Sequence, residues 1–348
     1  MIVLVALLGC TGAKDSAAPG SDPTAAISPV IESLGETVWL PRYAQLVDDA
    51  AALEGAIGST CPSIEDARAA WWSAKATWKQ SDALAFGPYT EAPRLGPQLD
   101  GWPTRPDLLQ EILDSEDPID TDAMGATSTG LPALGWVLHE ADGLTARRCD
   151  LAAALAAKLS ADAAEMSAAW SAADGMLASL VDPASDPGDS FEQSQDVLDE
   201  VFNRMVFAVE NVRLIKLGKP AGLENGGTID TSLLEAPHSG RSLEDARDNL
   251  RGVMQHWDGA YAGADGDGVV DLLPAGSRDR IDATVQAAYA DAMAALGAVN
   301  APLAETLYTE PEAIDAALNA LLPLQVALQV EAAQALQVTI RFNDADGD

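Results

Sequence analysis

The chain has 348 residues, 48% of them hydrophobic, enough to bury one large core or two medium ones, while aromatic residues make up only 5%. Its apolar content therefore comes mainly from good helix formers rather than from the residues that favour strands. Acidic residues outnumber basic ones 54 to 20, a formal charge of -34, and a surface of that sign repels phosphate backbones and excludes nucleic acid as a partner.

Residues 1–9 form a short apolar run that ends at Gly9 before Cys10 and passes into polar, small-residue sequence. The run is too short to span a bilayer, and Leu7-Leu8-Gly9-Cys10 fits a lipobox, so residues 1–9 are expected to be a lipoprotein signal and Cys10 the acylated residue. No basic residue precedes Ile2, a departure from the usual secretory signal. Residues 10–27 lack any period and are expected to be a flexible tether, with order beginning near Pro29. An exported chain whose Cys10 carries lipid keeps two thiols, and the simplest expectation is a Cys61–Cys149 disulfide contributing roughly 4 kcal/mol in the chain-entropy model.

From Pro41, Tyr43, Leu46, Ala50, Leu53 and Ile57 recur at helical steps. Ser63, with Asp66 three residues on, is expected to cap a second helix bearing Ile64, Trp71, Trp78 and Ala85 at seven-residue spacing. Residues 88–107 hold several prolines and glycines and are not expected to form regular helix. A long helix is predicted from Cys149 to about Leu180, ended by the Asp182–Gly188 break that divides the chain. Ser190 with Gln193 suggests a capping box before Leu198, Phe202, Met205, Val209 and Val212. Residues 218–241 read as loop, and Ser242 with Asp245 as the cap of a helix through Leu250 and Trp257. Ile281, Val285, Ala288 and Ala292 mark a further helix, and Ile314 to Ala335 a last one, bent at Pro323. No comparable stretch alternates with period two. The expectation is all-α: two packed helical-bundle modules, residues 28–182 and 190–343, long irregular loops and an acidic tail, 344–348.

Several stretches, in order, carry a family likeness. Arg68-Ala-Ala-Trp71, Trp78 and Phe86-Gly87-Pro88 come first, then Thr129-Gly130-Leu131-Pro132-Ala133-Leu134. Later come the run from Arg213 to Gly222, Ser239-Gly240-Arg241-Ser242 with Asn249-Leu250, and the ending from Phe342. The chain resembles the imelysin-like family of bacterial envelope proteins over most of residues 60–348. That resemblance implies two helical-bundle modules outside the cytoplasm, a link to iron uptake, and a supposed metallopeptidase activity. The family's characteristic motif is Gly-x-His-x-x-Glu, whose imidazole and carboxylate lie three apart on one helix and so can share a metal. Here the glycine is Gly130, but the His position is Pro132 and the Glu position Gly135, and neither offers a side-chain ligand.

His139-Glu140 begins like a zinc-peptidase signature, but the second histidine would be residue 143, which is Gly143. His139 still falls near the motif face of a continuous helix, so His139 and Glu140 stand as a relocated metal site against a partly exposed surface histidine. His238 reads as an ordinary loop residue, and His256, near a helix C-terminus, as one favoured as a cation. Asp265, Asp267 and Asp271 occupy the first, third and seventh places of a calcium loop whose sixth and twelfth places fail, leaving a hydrated acidic turn as the plainer reading. Asp344, Asp346 and Asp348 have similar spacing without a further ligand. Trp71, Trp72, Trp78, Trp136, Trp170 and Trp257 are expected in the core. No hydrolase or phosphate-loop motif occurs.

These observations favour a lipid-anchored, periplasm-facing or surface protein that binds rather than catalyses, with iron, zinc or calcium as candidate ions and a membrane lipid anchor and an envelope protein as candidate partners. A metallopeptidase and a structural partner-binding lipoprotein are the alternatives.

Overall fold

The computed structural model describes residues 26–140, 142–185 and 191–341. Cys10, the signal and most of the tether, Ser190, and the acids Asp344, Asp346 and Asp348 lie outside the described residues. Within them the chain is all-α, and the only strands are a two-residue hairpin, Ala260–Tyr261 with Ala264–Asp265.

Order starts earlier than Pro29. Helix α1 (Ile27–Leu34) buries Ile27, Val30, Ile31 and Leu34, so Ile27 belongs to the core and not to a tether. It runs through a π-helical turn, Gly35–Trp39, into α2 (Leu40–Ile57). Pro41 explains the turn: it has no N–H to give the preceding turn, and the ladder is rephased as Leu40 donates to the Gly35 carbonyl. Helix α3 (Ile64–Lys79) opens as expected, Ser63 Oγ accepting the Asp66 N–H at 3.1 Å.

The stretch expected to lack helix contains α4 (Leu95–Asp100), whose Pro97 sits in the first turn, where a missing N–H costs nothing. Helices α5 (Pro106–Asp114) and α6 (Gly130–His139) follow. The predicted Cys149–Leu180 helix is two: α7 (Ala146–Ser171) and α8 (Met176–Val181), parted where Ala172 turns extended before Gly175. Cys61 and Cys149 are joined, with Cα atoms 5.9 Å apart, tying the end of α2 to the start of α7.

Helix α9 (Ser194–Glu210) carries its capping box on Gln193 and Asp196, not on Ser190 and Gln193, and continues as a π-helical stretch, Asn211–Gly218. Ser242 does not cap α10 (Ser242–Asp258) either. It is the first helical residue, its hydroxyl accepts the Ala236 N–H at 2.9 Å, and the Asp245 carboxylate turns inward. Helix α11 (Arg278–Ala298) buries Ile281, Val285, Ala288, Ala292 and Leu296. After α12 (Leu303–Thr309), α13 (Pro311–Val326) contains Pro323, then passes through a π-helical turn, Ala327–Ala332, into α14 (Ala333–Leu336). By length and composition Pro311–Leu336 could cross a bilayer, but Ile314, Leu321, Leu324 and Leu328 face the core, where α13 packs on α11.

Helices α2, α3, α6 and α7 pack as one layered group and α9, α10, α11 and α13 as another. A single contiguous core runs through both, and the join that matters is α10 laid against α3. The Asn249 amide reaches across it to the Lys79 carbonyl at 2.8 Å, and from α2 the Arg42 guanidinium donates to the Gln80 carbonyl at 2.5 Å. Between them they take up the last carbonyls of α3, the groups a helix end leaves without partners.

Candidate functional site

The motif helix α6 begins at a residue that has to be glycine. Gly130 has φ +69°, and a Cβ there would lie 2.4 Å from the Leu99 carbonyl oxygen and 2.5 Å from that of Gln98. Its first turn is pinned by the buried Trp71 indole, which donates to the Leu131 carbonyl at 2.8 Å. Two arginines hold its last turn: Arg68 donates to the Leu138 carbonyl at 2.7 Å and Arg148 to that of Val137 at 3.1 Å, with the Arg148 guanidinium 4.6 Å from the Trp136 ring. Cations at a helix C-terminus are favoured by its dipole.

Pro132 and Gly135, at the His and Glu places of the motif, line a cavity of about 350 Å³ between α6, the 102–106 segment and the 232–239 loop. Trp71, Trp102, Trp136 and Pro103 form much of its wall, and Lys75 and Glu235 also line it. A metal does not fit there. Proline and glycine supply no ligand, and a Cβ at Gly135 would come within 2.8 Å of the Trp71 ring, so the indole fills the space a side chain at that position would use.

The relocated site does not assemble either. His139 Nδ1 donates to the Gly135 carbonyl at 2.9 Å, while the ring packs edge-on against Trp71 at 4.9 Å and burial lowers its pKa. Glu140 instead pairs with His238 Nδ1 at 2.7 Å, linking the end of α6 to the 232–239 loop at the cavity rim. The ordinary-loop reading of His238 missed this contact. In the acidic turn, Asp265 is exposed, the Asp267 N–H donates to Ser33 Oγ at 2.7 Å, and the Asp271 carboxylate accepts the Gly268 N–H at 3.0 Å and faces Arg278 at 3.3 Å. Asp271 is thus a local cap. Among the described residues no three His, Cys, Asp or Glu side chains gather as a metal-binding group.

His256 and Trp72 depart from expectation. His256 is wholly buried, gives Nδ1–H to the Gly252 carbonyl at 2.7 Å, and is pushed down to about 3 by burial and by Arg42, so it is neutral rather than a cation at a helix end. Trp72 is 39% exposed and carries the Arg241 guanidinium over its ring at 4.9 Å; Trp71, Trp78, Trp136, Trp170 and Trp257 are core.

A buried ion network adjoins the cavity. Asp100, placed by α4, pairs with both Lys75 and Lys79 of α3 and accepts the Trp78 indole N–H at 2.9 Å. Lys79 also pairs with Glu235, and Lys216 closes the set at 3.4 Å from Glu235 and 3.3 Å from Asp82. Behind it Arg241 bridges Asp245 and Asp248. Burial lowers Lys75, opposed by Asp100; burial also pulls on Lys79, but Asp100, Glu235 and Asp82 outweigh it and hold that ammonium well above its ordinary range. Burial would raise Asp100 and Glu235, but the surrounding lysines keep both below the usual carboxylate range. Asp245 is pushed up to about 6, chiefly by burial. The signal for this cluster was present in the sequence: Lys75 and Lys79 fall on the same stripe of α3 as Trp71 and Trp78.

The family model for imelysin matches residues 39–330. No curated protein matches the chain. Among solved structures, an iron-regulated protein A precursor from Parabacteroides distasonis ATCC 8503 is 18% identical, with a TM-score of 0.76 over 92% of this chain and 97% of that one. An imelysin-like protein from Psychrobacter arcticum 273-4 is 16% identical, with a TM-score of 0.71 over the same shares, 92% and 97%. At these identities the likeness is one of fold. The matched stretch includes α3 and α6, which line the cavity, and Lys75, Lys79, Asp100 and Glu235 of the ion network, and the chain belongs to the imelysin family.

Proposed function

We propose that this chain is a lipid-anchored envelope protein of the imelysin family that binds rather than catalyses, acting as an accessory to iron acquisition. The observation that carries the reading is the replacement of the family's His and Glu by Pro132 and Gly135 on the wall of an apolar cavity beside an internally paired ion network. Such a site offers shape and a few polar contacts, the features of a binding pocket, while Pro132 and Gly135 supply no side-chain ligand for a metal that would polarise a peptide carbonyl. Export agrees with the Cys61–Cys149 bridge, since such bonds persist in oxidising compartments, and anchoring rests on Leu7-Leu8-Gly9-Cys10. The iron link draws on the name of the Parabacteroides relative.

The test is complementation under iron limitation. A strain lacking the gene grows poorly, the wild-type chain restores growth, Cys10→Ala does not, and the purified protein turns over no peptide. Peptide hydrolysis abolished by a chelator, or growth unaffected by the deletion, overturns the reading.

A further inference from the structure

We propose that the cavity beside α6 takes a neutral aromatic molecule whose ring carries a hydrogen-bond acceptor, of the carboxamide type, directed to Lys75. The inference rests on the reading of the chain as a binding protein and adds the class of ligand.

The wall sets the shape. Trp71, Trp102, Trp136, Pro103, Pro132 and Pro237 give flat, rigid surfaces that suit a ring. Trp102 is 39% exposed and held by its own N–H to the Leu234 carbonyl at 3.2 Å, so its face is presented without costly ordering on binding. At about 350 Å³ the cavity lies at the small end of ligand pockets and suits one ring with a short substituent.

Lys75 sets the polar group. Its side chain is 1% exposed, it lines the cavity, and its ammonium has three N–H donors but a single hydrogen-bond acceptor among the described residues, Asp100. A buried ammonium left short of acceptors is costly, and an oxygen arriving from the cavity side relieves that cost.

Charge sets neutrality. Lys75, Lys79 and Lys216 are matched by Asp82, Asp100 and Glu235, so an anionic ligand brings an unmatched buried charge and a cationic one confronts Lys75. The -34 formal charge disfavours anions further.

The experiment titrates the full, disulfide-intact chain with benzamide, toluene, benzoate and benzylammonium, followed by NMR. Benzamide is expected to bind roughly tenfold or more tighter than toluene, the gain from one hydrogen bond to a charged donor, and tighter than either ion. In Lys75→Met the preference for benzamide over toluene disappears; if that variant does not fold, the wild-type series decides alone. Equal binding of benzamide and toluene, or tightest binding of benzoate, overturns the ligand class. So does no binding of benzamide up to about 10 mM. Each of these leaves the binding-protein reading to stand or fall on complementation.

Discussion

Replacing Gly130 by alanine tests whether the start of α6 is as constrained as its geometry requires. Two costs act together. The backbone at φ +69° is left-handed, which costs a residue with a Cβ about 1–2 kcal/mol. The new methyl would stand 2.4 Å and 2.5 Å from the carbonyl oxygens of Leu99 and Gln98, backbone atoms that move only if α4 moves, and overpacking of this kind costs about 1–3 kcal/mol. Against them, alanine loses less entropy than glycine on folding, worth about 0.4–1 kcal/mol. The expected net loss is about 1–5 kcal/mol in urea unfolding with the disulfide intact. Because α4 carries Asp100, the shift also disturbs the Lys75 and Lys79 pairs and with them the near-ultraviolet signal of Trp78, whose indole N–H reaches Asp100. A loss under about 1 kcal/mol with unchanged tryptophan signals would show that the α4–α6 contact yields freely and that Gly130 is not a structural requirement.

The folded pKa of His256, about 3, lies below the ordinary 6.5, so its contribution is fully present above the unfolded value and is lost as pH falls from there. Asp245, pushed up to about 6, moves the opposite way, so stability is compared with that of His256→Gln: from pH 7 to 5 the wild type should lose about 2 kcal/mol relative to the variant, and parallel curves would refute a buried neutral imidazole. Cys61→Ser opens a loop with a sequence separation of 88 and should lower unfolding stability by about 4–5 kcal/mol in the entropy model; a loss under about 1 kcal/mol would show that the bridge constrains little. Lys79→Met strips Glu235 and Asp100 of a shared partner and should cost about 3–5 kcal/mol by urea unfolding, more than truncating the half-buried Lys219. Iron or zinc at a hundredfold excess over a micromolar affinity would stabilise a resident site by about 2.7 kcal/mol, and none of the corresponding rise in melting temperature is expected.

Periodicity carried most of the fold because each helix buries a stripe that propensity alone supports: Tyr43, Leu46, Ala50, Leu53 and Ile57 all reach the core, as do Ile281, Val285, Ala288 and Ala292. The errors sit where tertiary contacts override local signals. Ser242 and Asp245 have the look of a cap, but Arg241 draws the carboxylate inward. The 88–107 stretch has helix-breaking composition, yet Pro97 is tolerated in a first turn and α4 forms, supplying Asp100. The site was half legible: Pro132 and Gly135 marked the place and the missing ligands. Glu235 and Asp100 carry no local pattern, because their meaning lies in partners 156 and 25 residues away.

Removing charge from a protein interior often leaves stability unchanged or improved, provided that every partner is replaced together by well-packed apolar groups. The network around Lys79 therefore gains little explanation from stability alone. It draws on separate segments: Asp82 and Asp100 after α3, Lys216 beyond α9, and Glu235 in the loop before α10. Each is held to the two lysines of α3 or to one another, so the ion pairs fix the loop carrying Leu234 and Pro237 to α3, across the cavity from α6. That loop is one wall of the cavity, and Glu140 with His238 fixes its rim. The charges thus position one wall of the cavity, whereas the same space filled with leucine would join the two helical groups just as firmly and leave no cavity.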